Sequence, residues 1–240
     1  MKRVIEVPWK TSEALAVFAA SWVLVPLAVW ALLATAATFW PAAHHWLNLL
    51  GTSDITVNFI MVALDALVGL LLVKLILDRY HVGWSAVGLR RVKIGRAIAY
   101  VTAALIAFLI LVALSFAIVS LFFPHFNADQ AQVNEFTQPK GTGALRLSFL
   151  ALVVIPPFIE EIIFRGFIFP ALTKRWGIIL GAIITSLLFA IAHWQLNVGV
   201  YTLILSLILC MMYYKLRSIW PGIFLHMINN YIAFTALIHK

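Results

Sequence analysis

The sequence predicts an all-α fold, a polytopic transmembrane bundle of about seven helices (seven to eight) around a buried polar site. Three observations carry this. The 240-residue chain is 64% hydrophobic and only 11% charged, with a mean hydropathy of +1.02. That leaves too few polar side chains to cover a water-soluble globule, and lipid is the solvent such a surface matches. The apolar residues fall into runs near 14–39, 55–78, 96–123, 144–169, 177–196, 199–214 and 219–238. Most of these approach the ~20 residues a helix needs to cross a bilayer, the sixth being short. Finally, most of the ionisable and amide residues found inside runs are concentrated in three of the C-terminal ones. Helix is the state that fits, because an open sheet edge in lipid leaves backbone groups unpaired.

Taken in order, the first run, Ala14 to Phe39, exceeds the ~7–15 residues of a signal-peptide core and reads as a retained helix. Trp22 and Trp30 lie too deep within it to serve only as interfacial belt residues. The second run carries Asp65, read as a buried structural carboxylate hydrogen-bonded to its neighbours. The stretch from Asn127 to Gly143 contains Pro139, Gly141 and Gly143 and reads as a loop. It divides one integral membrane domain into an N-terminal part, 1–143, with helices one to three, and a C-terminal part, 144–240, with the remaining helices. Gly177-xxx-Gly181 opens the fifth run as a helix-packing pattern. The lone Cys210 lies in the sixth and reads as a small packing residue without a disulfide partner.

The formal net charge is +8. Its distribution points to membrane orientation and not to nucleic acid. Twelve basic residues (Lys2, Arg3, Lys10, Arg79, Arg90, Arg91, Lys93, Arg96, Lys174, Arg175, Lys215 and Arg217) fall on one side of the predicted spans. Only Lys140, Arg146 and Lys240 fall on the other. By the positive-inside rule the N-terminus is cytoplasmic. The short loops suit a multi-pass protein of a bacterial plasma membrane.

Ionisable groups at bilayer depth are costly and mark function. The fourth run reads Pro156-Pro157-Phe-Ile-Glu160-Glu161-Ile-Ile-Phe-Arg165, the fifth ends Phe189-Ala-Ile-Ala-His193, and the seventh holds His226-Met-Ile-Asn-Asn230. The prolines interrupt the helical ladder, and in lipid such a break is tolerated beside protein or a wet cavity, so a cavity is expected next to Glu160. Glu161 and Arg165 are four apart, share a helical face and can pair. Glu160 lies ~100° around the helix from Glu161 and is freer to act as a base. His226 and Asn230 share a face and could stabilise an oxyanion, whereas two histidines with a carboxylate could instead hold a metal ion. His44, His45, His81, His125 and His239 lie in loops or at ends. Counted from the basic side at ~1.5 Å per residue, Glu160 lies about 14 Å deep, His226 about 10 Å, Asn230 about 17 Å and His193 about 24 Å, the last too deep for the set.

The order Glu-Glu-x-x-x-Arg, Phe-x-x-x-His, His-x-x-x-Asn on successive helices resembles the CPBP family, the CAAX prenyl endopeptidases of the Rce1 type and their bacterial Abi relatives. Gly166 after the arginine also fits. The resemblance spans about 156–232. It implies hydrolysis of a peptide bond within the membrane by an activated water. Glu160, assisted by His193, would activate the water, His226 and Asn230 would stabilise the oxyanion, and Glu161 with Arg165 would organise the site. A prenylated CAAX-type protein or another membrane-associated peptide is the implied substrate. Zn²⁺ is a possible cofactor, held if present by Glu160, His193 and His226. No His-Glu-x-x-His exists for a zincin, and no Gly-x-Gly-Asp for a presenilin-like enzyme. Gly83-Trp-Ser85 fits a rhomboid serine but lies in the basic loop, away from the histidines. A non-catalytic immunity or peptide-binding protein using the same cavity is the alternative. A carboxylate-coupled transporter fits less well, because no second half repeats the polar residues.

Overall fold

The computed structural model describes residues 6–49, 55–123, 141–193 and 196–238. Lys2, Arg3, Lys140 and Lys240 of the charge count lie outside these residues, as do His125, His239 and nearly all of the predicted loop before Gly141. The described residues form seven helices and no strand. They are α1 (Thr11–Ala37), α2 (Pro41–Leu49), α3 (Ile55–Arg79), α4 (Ile94–Phe122), α5 (Thr142–Ile191), α6 (Leu196–Leu216) and α7 (Trp220–Ile238). Five stretches are long and apolar enough to cross a membrane, namely α1, α3, α4, α5 and Val198–Leu216 within α6. The chain is an integral membrane protein. α7 is not among the five, its 19 residues including His226, Asn229 and Asn230.

The number seven is reached differently from the sequence reading. The short α2 was not expected, and the predicted fourth and fifth helices are two arms of α5. The first arm does not end near residue 169. It continues to Trp176 and breaks at Gly177, whose φ of +80° lies in the left-handed region that favours glycine. Gly177 is therefore a turn and not a packing position, which corrects the Gly177-xxx-Gly181 reading. Gly181 alone makes a close approach, onto Thr173 across that turn.

The first arm of α5 is the core. Glu161 through Leu172 are all buried, and the largest enclosed side chains include Phe164, Arg165, Phe167 and Phe169. Around it pack α1, α3, α6 and α7, with their apolar outer faces left to lipid. α1 is latched to this arm by residues just before and at its start. Trp9, fully enclosed, donates its indole N–H to the Phe167 carbonyl at 3.0 Å and stacks on the Phe167 ring at 4.7 Å. Thr11 Oγ1 donates to the Ala171 carbonyl at 3.1 Å, and Lys174 Nζ returns to the Val7 carbonyl at 2.9 Å.

The basic junctions meet at one end, as their alternation along the sequence requires. Arg79 pairs with Glu13 at 3.1 Å. The α6–α7 turn is tied to the segment after α3, with Ser218 Oγ donating to the Arg90 carbonyl at 2.7 Å and the Ile219 N–H to the Gly88 carbonyl at 2.9 Å. Trp30 is exposed on the lipid side. Trp22 instead sets its ring edge-on to Phe164 at 4.9 Å, beside the cavity described below.

Candidate active site

Pro156-Pro157 distorts α5 just where the sequence placed a break. Upstream, Leu150–Val154 opens into a wide π-type turn in which the Ile155 N–H reaches back five residues to the Leu150 carbonyl. The Leu152 carbonyl would take Pro156 as its α-helical partner and Pro157 as its π-helical one, and neither proline has an N–H. Asn230 of α7 supplies the missing donor, Nδ2–H to the Leu152 carbonyl at 2.9 Å. The kink and the α7 amide are thus one structure. Asn229 in turn donates to Asn230 Oδ1 at 3.1 Å.

A second π-type segment, Glu161–Ile168, carries the carboxylate motif. The sequence reading used an α-helical repeat throughout, yet the pairing it expected is present. Arg165 Nη1 meets Glu161 Oε1 at 2.9 Å, with both side chains essentially solvent-free. The contact is an ion pair whose N–H is not aligned for a hydrogen bond, since the guanidinium nitrogens and Glu161 Oε2 find no hydrogen-bond partner among the described residues. The guanidinium also lies 4.3 Å from the centre of the Phe189 ring, a cation–π distance. Glu160, one residue earlier, is 18% exposed and lines the cavity.

His226 sits between the two carboxylates. Its Nδ1 is 3.2 Å from Glu161 Oε1, and its Nε2 is 3.8 Å from Glu160 Oε2. An ionised carboxylate only accepts, so Nδ1 carries the proton shared with Glu161 and Nε2 is turned toward Glu160. Gly222 makes this possible. A Cβ there would stand 2.9 Å from Glu161 Oε2, so a larger residue would push the carboxylate or α7 aside. His193 lies in the turn just past Ile191. Its Nδ1–H donates to the Phe189 carbonyl at 2.8 Å, which leaves Nε2 as the ring's acceptor nitrogen when neutral. Phe189 is the common neighbour, edge-on to His193 at 4.8 Å and to His226 at 5.7 Å.

All six sequence-predicted residues therefore gather around the kink, and Glu160, His193, His226 and Asn230 line one cavity of about 480 Å³. The apparent depth mismatch of His193 has a geometric answer. Because the first arm of α5 runs on to Trp176, Glu160 and His193 lie 17 and 16 residues either side of Gly177, about 25 and 24 Å at ~1.5 Å per residue. The Ile219–Gly88 bond starts α7 beside the Trp84–Val87 turn, which itself packs on Gly166. From that level His226 is about one and a half to two helical turns up, as Glu160 is from Gly166.

Sequence reasoning undervalued other parts of the lining. Ser21 and Trp22 of α1, Asn58 and Asp65 of α3, and Asn229 face the same cavity. Asp65 is not the hydrogen-bonded structural carboxylate expected, because its Oδ1 is enclosed yet has no partner among the described residues. The signal was present, in that an acid mid-way along an apolar helix is a functional residue by default.

As placed, Glu160, His193 and His226 are not gathered at the distances a metal ion needs. Zn²⁺ takes three or four ligands at ~2.0–2.3 Å, and no three His, Cys, Asp or Glu side chains among the described residues are grouped to hold an ion.

Residues 142–232 match the family described as "Type II CAAX prenyl endopeptidase Rce1-like". Over 87 residues the chain is 30% identical to "Putative membrane peptidase YdiL" of Bacillus subtilis (strain 168), an alignment covering 36% of this chain and 36% of the relative. No solved structure matches. The family resemblance read from the three motifs is borne out. The matched segment contains all six motif residues and leaves α1 to α4 unmatched.

Proposed function

We propose, taking the match of residues 142–232 to an endopeptidase family as the premise, that the chain is an intramembrane endopeptidase working through a glutamate-activated water. The observation that carries this is the Glu160–His226 pair, 3.8 Å apart at the cavity, with His226 held from behind by Glu161 and Glu161 by Arg165. A reactive pair at the cavity with a buried, charged support is what a pre-organised hydrolytic site requires.

Glu160 takes the proton of a water lying between it and the substrate carbonyl. His193 keeps its Nδ1–H on the Phe189 carbonyl, so its Nε2 can accept a hydrogen bond from the second O–H of that water, which stays on the oxygen, and fix its orientation. His226, with Nδ1 on Glu161, turns Nε2 toward the cavity, where a proton on it would stabilise the developing oxyanion. Collapse of the tetrahedral intermediate breaks the C–N bond, and Glu160 returns its proton to the leaving amine. Asn230 has one N–H committed to Leu152, so it holds the kink and has its second N–H for the oxyanion.

The substrate is a membrane-associated protein or peptide, of prenylated CAAX type or another class, reached from a bacterial plasma membrane with the N-terminus cytoplasmic. The test is a survey of protein N-termini in membranes from cells expressing wild type or Glu160→Gln at matched levels. Ends found only with wild type establish proteolysis and name the substrate. Identical profiles, with a phenotype that Glu160→Gln still supports, assign the cavity to peptide binding without hydrolysis.

A further inference from the structure

The six motif residues make up only part of the cavity lining. Asp65, Asn58 and Ser21 come from α1 and α3, outside the matched segment. Asp65 lies ten residues into the 25-residue α3, in the middle of an apolar span. Its Oδ1 is enclosed without a hydrogen-bond donor, and Ser21 Oγ is likewise unpartnered among the described residues. No Lys or Arg side chain lines the cavity among those residues. Lys74 of the same helix is bound to Asp78 at 2.6 Å, and Arg165 is held by Glu161.

A carboxylate kept at a cavity without a protein cation to answer it is a cost that packing does not repay, and an apolar residue would fill the position better. Trp22 lines the same cavity, its ring edge-on to Phe164. An indole beside a carboxylate is a favourable seat for ammonium or guanidinium. We infer that Asp65, with Ser21, Asn58 and Trp22, forms a subsite for a basic side chain of the substrate, a lysine or arginine close to the scissile bond. The inference rests on reading the cavity as a peptide-binding cleft. It makes α1 and α3 the source of specificity, while 142–232 carries the hydrolytic groups.

The test uses the full-length protein in lipid nanodiscs, with Glu160→Gln as a trap that binds without cleaving. The probe is a set of apolar peptides identical except at one guest position, walked along the chain and filled by Lys, Arg, Gln, norleucine or Glu. Peptides retained by the protein are counted by mass spectrometry. Lys and Arg guests at one register should be enriched about tenfold or more over Gln and norleucine, the size expected of a desolvated charge pair. The enrichment should vanish in Glu160→Gln/Asp65→Asn and pass to the Glu guest in Glu160→Gln/Asp65→Lys. Equal retention of Lys, Gln and norleucine guests, or a Lys preference that survives Asp65→Asn, overturns the subsite. If Asp65→Asn does not fold, Asp65→Leu gives the same comparison with an apolar filler. Cleavage of the enriched peptides by wild type is read separately. Retention without cleavage keeps the subsite and removes the endopeptidase reading, and cleavage indifferent to the guest residue does the reverse.

Discussion

Asn230 closes a hole in the backbone of another helix: its Nδ2–H reaches the Leu152 carbonyl at 2.9 Å, where Pro156 and Pro157 have removed both backbone donors. A buried carbonyl left without a partner costs about 1–3 kcal/mol. Asn230→Ala should therefore lower the melting temperature as well as activity, and Asn230→Asp should do the same, because a carboxylate cannot donate to a carbonyl. A residue acting only on the oxyanion would leave the melting curve in place. The decisive measurement is a double-mutant cycle. Pro156→Ala gives Leu152 back an α-helical N–H, so Asn230→Ala should cost less stability in that background by about 1 kcal/mol. Strict additivity would separate the amide from the kink.

The buried Glu161–Arg165 pair predicts an asymmetry between single and double substitutions. Arg165→Leu strands a solvent-free carboxylate and should destabilise by about 3–5 kcal/mol, as breaking buried pairs does. Glu161→Gln/Arg165→Leu removes both charges and should recover much of that loss in thermal melts. It should not recover cleavage, because the Glu161 contact that orients His226 at 3.2 Å is weakened with it. Recovery of both stability and activity would show that the pair serves the fold alone.

The fold class, the Glu161–Arg165 pairing and the break at Pro156-Pro157 were legible because each rests on a local rule: apolar run length, i,i+4 spacing and the missing proline N–H. The continuation of the first arm of α5 to Trp176 was not, since nothing apolar or polar changes sharply between Phe169 and Trp176 except Lys174 and Arg175, and those read equally as a loop. The two π-type segments were also invisible. They widen the repeat without changing which residues are apolar, and Glu161 and Arg165 are long enough to meet in either register. Phe189 was seen as a motif letter, but its position under Arg165, His193 and His226 depends on how the two arms of α5 fold together at Gly177. Asp65 stands out in the sequence, but its surroundings do not. A carboxylate's partners are a tertiary fact, and a helical repeat shows only its own helix.

Gly222 sets the distance between α7 and Glu161. In Gly222→Ala the new methyl would stand 2.9 Å from Glu161 Oε2, an atom whose partner oxygen is pinned by Arg165. The carboxylate or α7 must shift by a few tenths of an ångström, and His226 moves with either. A misplacement of about 1 Å in a catalytic arrangement can cost ~10²-fold, and a smaller shift costs correspondingly less. The expected outcome is a loss of about tenfold in kcat with KM little changed, since Gly222 does not itself line the cavity. A change confined to KM would mean that α7 shapes peptide binding and does not set the His226 geometry.

Metal dependence follows from how the donors are placed. Glu160 Oε2 stands 3.8 Å from His226 Nε2, and no three His, Cys, Asp or Glu side chains among the described residues are grouped to hold an ion. Glu160 and the two Nε2 atoms would have to close together onto one ion to meet the ~2.0–2.2 Å lengths of Zn–N and Zn–O bonds. We expect cleavage to persist after exhaustive dialysis against a chelator, with metal content of the active protein, read by mass spectrometry, well below one ion per chain. Loss of activity that Zn²⁺ restores would instead show that substrate or lipid draws these three side chains into a metal-holding arrangement. Chelation should then also lower the melting temperature of wild type and leave that of His193→Ala unmoved, which separates a bound ion from inhibition by the chelator itself.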